Sequence, residues 1–263
     1  MKKSLYSKSH KAWKLSSLIL LLVSLNTFSA EKLLIAGDNL PPYLDKFTEG
    51  RGWAWQITEL ALKQAKLDYQ FEFIPWARVI VSAPELINWN AAFPAYYSEE
   101  RAQKFLYSAP IIQTKLGFFK LKKNTHIKFD GSFESVKHYR IGNCRKCAVR
   151  ADFDNDETLN KVIVNNLDGG IQMLFRERID LLVGNYHVNS VKMEAMLQPG
   201  NPYGLTRGDI EFIEPTIQIK PVYLAVSKKL KGHEKIVFQF NQALTEVNNL
   251  PEVQAILQLN ENH

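Results

Sequence analysis

The sequence predicts an α/β protein in two lobes, each a mainly parallel sheet flanked by helices. From residue 32 onward, short apolar runs alternate with amphipathic stretches, the order of a βαβ chain. A fresh set of such elements begins near residue 115. The 233 residues that follow the first 30 suffice for one large domain or for two lobes of about 100 residues.

The first 30 residues have the features of a secretory signal. Lys2, Lys3, Lys8, Lys11 and Lys14 lead into an apolar run from Leu15 to Leu25, and small residues follow at Ser29 and Ala30. The run is shorter than the ~20 apolar residues that span a bilayer. Cleavage after Ala30 leaves bulky Phe28 three positions back; cleavage after Ser29, with Thr27 behind it, is the alternative. These 30 residues hold five of the 33 basic residues and none of the 27 acidic ones, so the remainder carries 28 against 27, a net +1. Nucleic-acid or anionic-membrane binding, which needs a basic face, loses its support. The expected location is a bacterial periplasm, an oxidising compartment. No cysteine precedes the cleavage region to carry a lipid, and no repeat or low-complexity tract is present.

The elements follow in order. "KLLIAG" (32–37) is a strand running into the turn-rich "DNLPPY". "WAWQITELALKQAKL" sets Trp53, Ile57, Leu60 and Ala61 at helical spacing, which predicts Trp53 in the core. "YQFEFI" (69–74) alternates as a half-buried strand does. "PWARVIVSAPELI" opens on a proline suited to a first helical turn, and "NAAFPAYY" reads as a strand and loop. In the second set, "KLGFFKLKKN" (115–124) and "YRIGNC" are strands. "GIQMLFRERIDLLVGNY" is a helix turning into a strand, and "NSVKMEAML" is helical. "KPVYLAVSKK" (220–229) is a strand, followed by a helix with Ile236, Phe240, Ala243, Leu244 and Val247 on one stripe. The expected division is a signal over 1–30, a first lobe over 31–115, a second over 120–215 and a C-terminal stretch over 220–263.

The order of "GDNLPPY", "PWARV", "SEERAQKFLYSAPI", "RIDLLVGN" and "KPVYLAVSK" resembles the periplasmic solute-binding proteins of the family 3 type, the polar amino-acid receptors of ABC transporters. The resemblance covers nearly all of residues 32–258 and rests on five short motifs in order. It implies the type II two-lobe fold, with a ligand in the cleft between the lobes and no catalysis. "TKLGFFK" and "PVYLAVSK" are the implied crossover strands, and the C-terminal helices return to the first lobe. The implied partners are a small-molecule ligand and a membrane permease; no cofactor, metal or nucleic acid is implied, and a monomer is expected.

The resemblance places Arg101 where the family grips a ligand carboxylate, work suited to a guanidinium that pairs bidentately and keeps its charge. Without it, Arg101 reads as a surface charge beside Glu99 and Glu100. The other candidate ligand-binding residues are Asp38, Tyr43, Trp76, Arg78, Phe93, Asn185 and Tyr186. Two departures bear on the ligand. Leu40 stands where an aromatic usually stacks on it, with Tyr43 three residues on, and Asn185 stands where an acid receives the α-ammonium. Asparagine still accepts a hydrogen bond. The ligand is an amino acid held differently or a carboxylate that lacks the amine.

Cys144 and Cys147, the only cysteines, form C-x-x-C. A local disulfide is the default in an oxidising compartment; a redox motif lacks the surroundings and a zinc site lacks two ligands. The resemblance brings this loop to the ligand, with Lys146 and Ala148 near positions that the family gives to glycine and small hydroxyl residues. "DFDNDET" (152–158) begins like a calcium loop but has Glu157 where the turn needs glycine and Ile163 where the last ligand belongs. Two other functions stay open: an exported dehydratase-like enzyme on the same scaffold, with Asp38, Glu99 and Glu100 as candidate acids or bases, and a ligand-sensing partner of a membrane receptor.

Overall fold

The computed structural model describes residues 32–144 and 149–261. The expected signal (1–30), Lys146, Ala148 and the Cys147 half of the expected Cys144–Cys147 bridge lie outside the described residues. No helix among those described is long and apolar enough to cross a membrane.

In the first lobe, the elements of residues 33–96 come in the order that the sequence pattern predicts. Strand β1 (Leu33–Gly37) is followed by helix α1 (Trp53–Gln64), β2 (Tyr69–Phe73), α2 (Trp76–Ser82) and β3 (Ala91–Tyr96). The short α3 (Glu99–Ala102) and β4 (Phe105–Tyr107) come next. β1 lies between β2 and β3, parallel to both. The long β5 (Ile112–Leu121) leaves this lobe for the second. There β6 (Ile141–Cys144), α4 (Ala151–Asn155), β7 (Lys161–Val164), α5 (Leu167–Phe175), β8 (Leu181–Asn185) and α6 (Tyr186–Met196) follow. β6 pairs in parallel with β7 and β8. The 18-residue β9 (Ile210–Ser227) runs back, ahead of α7 (His233–Val247) and α8 (Pro251–Glu261).

All nine strands form one sheet, in the order β2-β1-β3-β9-β5-β8-β6-β7, with β4 also on β9. β5 and β9 are antiparallel from Ile112↔Val222 to Leu121↔Ile210, with a register shift between Leu116 and Phe118. β9 pairs with β3 and β4 near its C-terminal end, and β5 pairs with β8 near its own. The two strands are therefore the crossovers, and the first seven residues of "KLGFFKLKKN" continue a strand that begins three residues earlier.

The apolar core divides accordingly. In the first lobe, Ile35, Trp55, Phe93, Leu224, Phe240 and Val253 pack on one face of the sheet, and Val79, Trp89 and Phe105 on the other. In the second, Phe118, Phe133 and Phe153 fill one face, and Phe119, Ile171 and Leu174 the other. The α7 stripe predicted from spacing is buried throughout. The α1 stripe is centred differently: Trp55, Ile57, Ala61 and Leu62 face inward, while Trp53 is half-buried. Trp53 opens the helix at the edge of the core, and the next aromatic fills the interior.

The aspartate of "RID" is a strut. Arg140 donates from Nε and Nη2 to the two carboxylate oxygens of Asp180 (3.0 and 2.7 Å), and its backbone N–H reaches Oδ2 at 2.8 Å. The Arg140 bonds hold the Asp180 carboxyl below its ordinary range. A depressed folded value means that the stabilisation is present above the unfolded value of about 3.9 and is lost as pH falls through the folded one. Asp180→Asn should cost about 1 kcal/mol at pH 7, with the cost shrinking as pH is lowered from about 5 towards 2. Urea unfolding at several pH values measures it; a cost independent of pH would remove the ionic account.

Candidate functional site

Loops at the C-terminal ends of parallel strands are where open α/β sheets bind ligands, and some of the predicted residues lie there. At the end of β1, Gly37 has no side chain because the Phe93 carbonyl oxygen stands 1.8 Å from where a Cβ would lie. The chain then turns, with Leu40 and Leu44 bridged, and enters α1 through Gly52 at φ +88. Asp38 Oδ2 accepts the backbone N–H of Trp76 at 2.9 Å, which ties this turn to the start of α2. Its Oδ1 accepts from Asn39 N–H.

Arg101 sits over Trp76. Ser98 caps α3 by accepting the Arg101 N–H at 3.3 Å. The guanidinium carbon lies 5.5 Å from the Trp76 ring centroid, and Nη1 donates to the Tyr96 carbonyl at 3.2 Å. None of the ion pairs among the described residues uses Arg101, although Glu99 and Glu100 precede it in the same helix. The guanidinium is positioned by an aromatic face and one neutral oxygen, and its charge is not cancelled by an acid.

On the second lobe, Asn185 ends β8 and caps α6: its Oδ1 accepts Val188 N–H at 3.1 Å. The same oxygen accepts the Tyr43 hydroxyl at 2.8 Å, and Asn185 Nδ2 donates to the Tyr96 hydroxyl oxygen at 3.4 Å. Tyr43 Oη also lies 3.1 Å from His187 Nδ1. Tyr96 continues to Thr114 Oγ1 at 3.4 Å, and Thr114 donates to the Lys220 carbonyl at 2.9 Å. A polar chain thus runs from the β1 loop through the α6 cap to both crossovers. Burial pushes the Tyr43 hydroxyl well above its ordinary range and raises Tyr96 too, so both phenols stay neutral. Trp53 meets Tyr43 and His187 edge-on at 5.1 and 5.9 Å, and its indole Nε1 is buried with no hydrogen-bond partner.

Two groups of predicted residues therefore meet: Asp38, Trp76 and Arg101, and separately Tyr43 with Asn185. Phe93 lies inside the first lobe, fully buried, 5.7 Å from Trp55. Tyr186 turns into the second lobe, stacked on Phe119 at 6.2 Å and 5.0 Å from Phe212. Arg78 is exposed on α2. Tyr96, Tyr107 and His187 join these groups without a sequence expectation; for Tyr96 the paired tyrosines of "AYYSEER", four and five residues before Arg101, are the available signal.

No protein-family model matches the chain, and no curated protein matches it. Solved structures do. A histidine kinase sensor domain with similarity to periplasmic binding proteins aligns at TM-score 0.65 and 13% identity, over 86% of this chain and 94% of that one. An ancestral arginine-binding protein bound to arginine aligns at TM-score 0.63 and 18% identity, over 86% and 96%. An arginine-, lysine-, histidine-binding protein from Geobacillus stearothermophilus aligns at 0.62 and 15%, over 86% and 93%. The fold is that of the type II periplasmic binding proteins. Within a periplasmic binding protein fold, the Tyr43–Asn185–Tyr96 bonds join the two lobes directly.

Those bonds set a stability difference. Tyr43→Phe should cost about 1 kcal/mol, the net worth of one hydrogen bond. Asn185→Ala should cost about 2 kcal/mol, since it also removes the α6 cap and the bond to the Tyr96 hydroxyl. Denaturant unfolding of both variants checks the order; equal costs would mean that the cap adds nothing, and a Tyr43→Phe cost near zero that the phenol bond adds nothing.

Proposed function

We propose that this chain is a non-catalytic binding protein that captures a small carboxylate-bearing polar solute between its lobes, for delivery to an ABC-type membrane permease. The observation that carries the reading is Arg101, a guanidinium fixed on the Trp76 face and the Tyr96 carbonyl with no acid paired to it. Such a group has its remaining donors ready for a carboxylate. Export to the periplasm through the N-terminal signal accords with the role. Amino-acid ligands in the similar structures, arginine in one of them, support a ligand of that size.

In this reading the ligand acts through hinge closure. The crossovers β5 and β9 are the hinge, weakest where their register shifts between Leu116 and Phe118. A solute that touches both lobes binds the closed form better and so favours it. The dehydratase-like alternative needs a poised acid or base. Asp38 is occupied by two backbone N–H groups and Asn185 does not titrate, which weighs against it. Sensing keeps a specific support, since one similar structure is a sensor domain; a ligand would serve either output by the same closure.

Thermal unfolding against the twenty amino acids, small mono- and dicarboxylates and cyclic dienol acids tests the reading. A ligand at 100 times its Kd adds about 2.7 kcal/mol, a shift of roughly 5–10 °C for a chain of this size. Arg101→Ala should weaken binding by about 2–5 kcal/mol, roughly 30- to 5,000-fold in Kd, without loss of folding. Unchanged affinity in that variant would sink the clamp.

A further inference from the structure

The rings around Arg101 exceed what a carboxylate clamp needs. Tyr107 donates its hydroxyl to the Tyr96 carbonyl at 3.4 Å, the oxygen that also accepts from Arg101 Nη1. From Tyr107 the aromatic surface extends to Tyr97, 5.2 Å away and tilted by 56°, and to Tyr223 of β9, 5.5 Å away and edge-on at 79°. The Trp76 indole lies against the same guanidinium. These side chains are not core: Tyr97 is 56% exposed, and Trp76, Arg101, Tyr107 and Tyr223 are half-buried. A group of accessible rings at the end of a sheet marks a binding surface.

The place for an α-ammonium is meanwhile taken. Asn185 stands at the acid position, its oxygen holds Val188 N–H and the Tyr43 hydroxyl, and its amide nitrogen is directed to Tyr96. Asp38, the acid on the neighbouring loop, holds two backbone N–H groups. A zwitterion would bring its cation near the Arg101 guanidinium, and neither Asn185, which is neutral, nor Asp38, which is tied to the α2 start, is placed to receive it.

Resting on the reading that Arg101 takes a solute carboxylate, we propose that the solute is an aromatic carboxylate without an α-ammonium. Its carboxylate meets Arg101, and its ring packs against Tyr97, Tyr107 and Tyr223. Edge-to-face and offset contacts give an aromatic ring an advantage beyond the area it buries, which a saturated ring of the same size does not share.

Titration calorimetry of the purified protein tests this with four probes: 3-phenylpropionate, L-phenylalanine, cyclohexanepropionate and glycine betaine. 3-Phenylpropionate should bind at least tenfold tighter than each of the others, Tyr97→Ala should erase that preference, and Arg101→Lys should weaken 3-phenylpropionate at least tenfold. If phenylalanine or betaine binds as tightly, the ammonium is accepted and the proposal is overturned, while solute binding stands. Equal affinity for cyclohexanepropionate overturns the role of the rings. If none of the four binds while an amino acid of the earlier panel does, only the aromatic assignment falls. If nothing in either set binds, or Arg101→Lys changes nothing, the carboxylate reading falls with it.

Discussion

The pairing of β5 with β9 is the constraint on which the rest depends. Each lobe's sheet grows outward from this antiparallel ribbon, β3 and β4 from β9 in the first lobe and β8 from β5 in the second. Its register therefore places site residues that lie far apart in sequence. Leu116 pairs with Asn185 on one side and with Gln218 on the other. Ala225 pairs with Tyr107, and Tyr223 with Ala95. A slip of one residue in a strand turns its side chains to the opposite face and would carry Asn185 away from Tyr43 and Tyr223 away from Tyr107. The extended apolar contact along the ribbon, with Phe118 and Phe119 on opposite faces, fixes that register.

In the proposed hinge motion, small terms act where the lobes meet. Tyr43 is fully buried, so its hydroxyl needs the Asn185 oxygen; unpaired, it would cost about 1–3 kcal/mol. Against this stands Trp53 Nε1, buried without a partner and bearing a penalty of the same order. Opening in that motion would break the Tyr43–Asn185, Tyr43–His187 and Asn185–Tyr96 contacts between the lobes. A ligand shifts such an equilibrium only by its differential affinity for the two states.

Much of the fold was legible because period and punctuation are local. Strands β1, β2 and β6 and helices α1 and α7 follow from alternation, helical spacing and glycine or proline at their ends. The three-residue β4 and four-residue β7 were not legible, being held by neighbours and too short to show a period. The site was legible in part. Asp38, Trp76 and Arg101 lie on three separate segments, and only the resemblance drew them together. Phe93 and Tyr186 carried no sequence signal that would separate a core ring from a cleft ring, because both lie at strand or helix positions whose facing is set by pairing. Tyr107 and Tyr223 meet only through the β4–β9 ladder, which spans over a hundred residues of chain.

Arginine suits position 101 for a reason that lysine would not meet. An ammonium is a compact, strongly hydrated charge, whereas the guanidinium is planar and weakly hydrated. It can lie on the Trp76 indole and give one N–H to the Tyr96 carbonyl without losing the rest of its fork. A carbonyl carries only a partial charge, so it orients the cation without cancelling it. Asp38 contributes one step removed: by accepting Trp76 N–H it anchors the start of α2, and hence the indole on which Arg101 rests. An acid thus stands one step from Arg101, but each of its oxygens is bonded to a backbone N–H and neither pairs with the guanidinium, which has no ionic partner among the described residues.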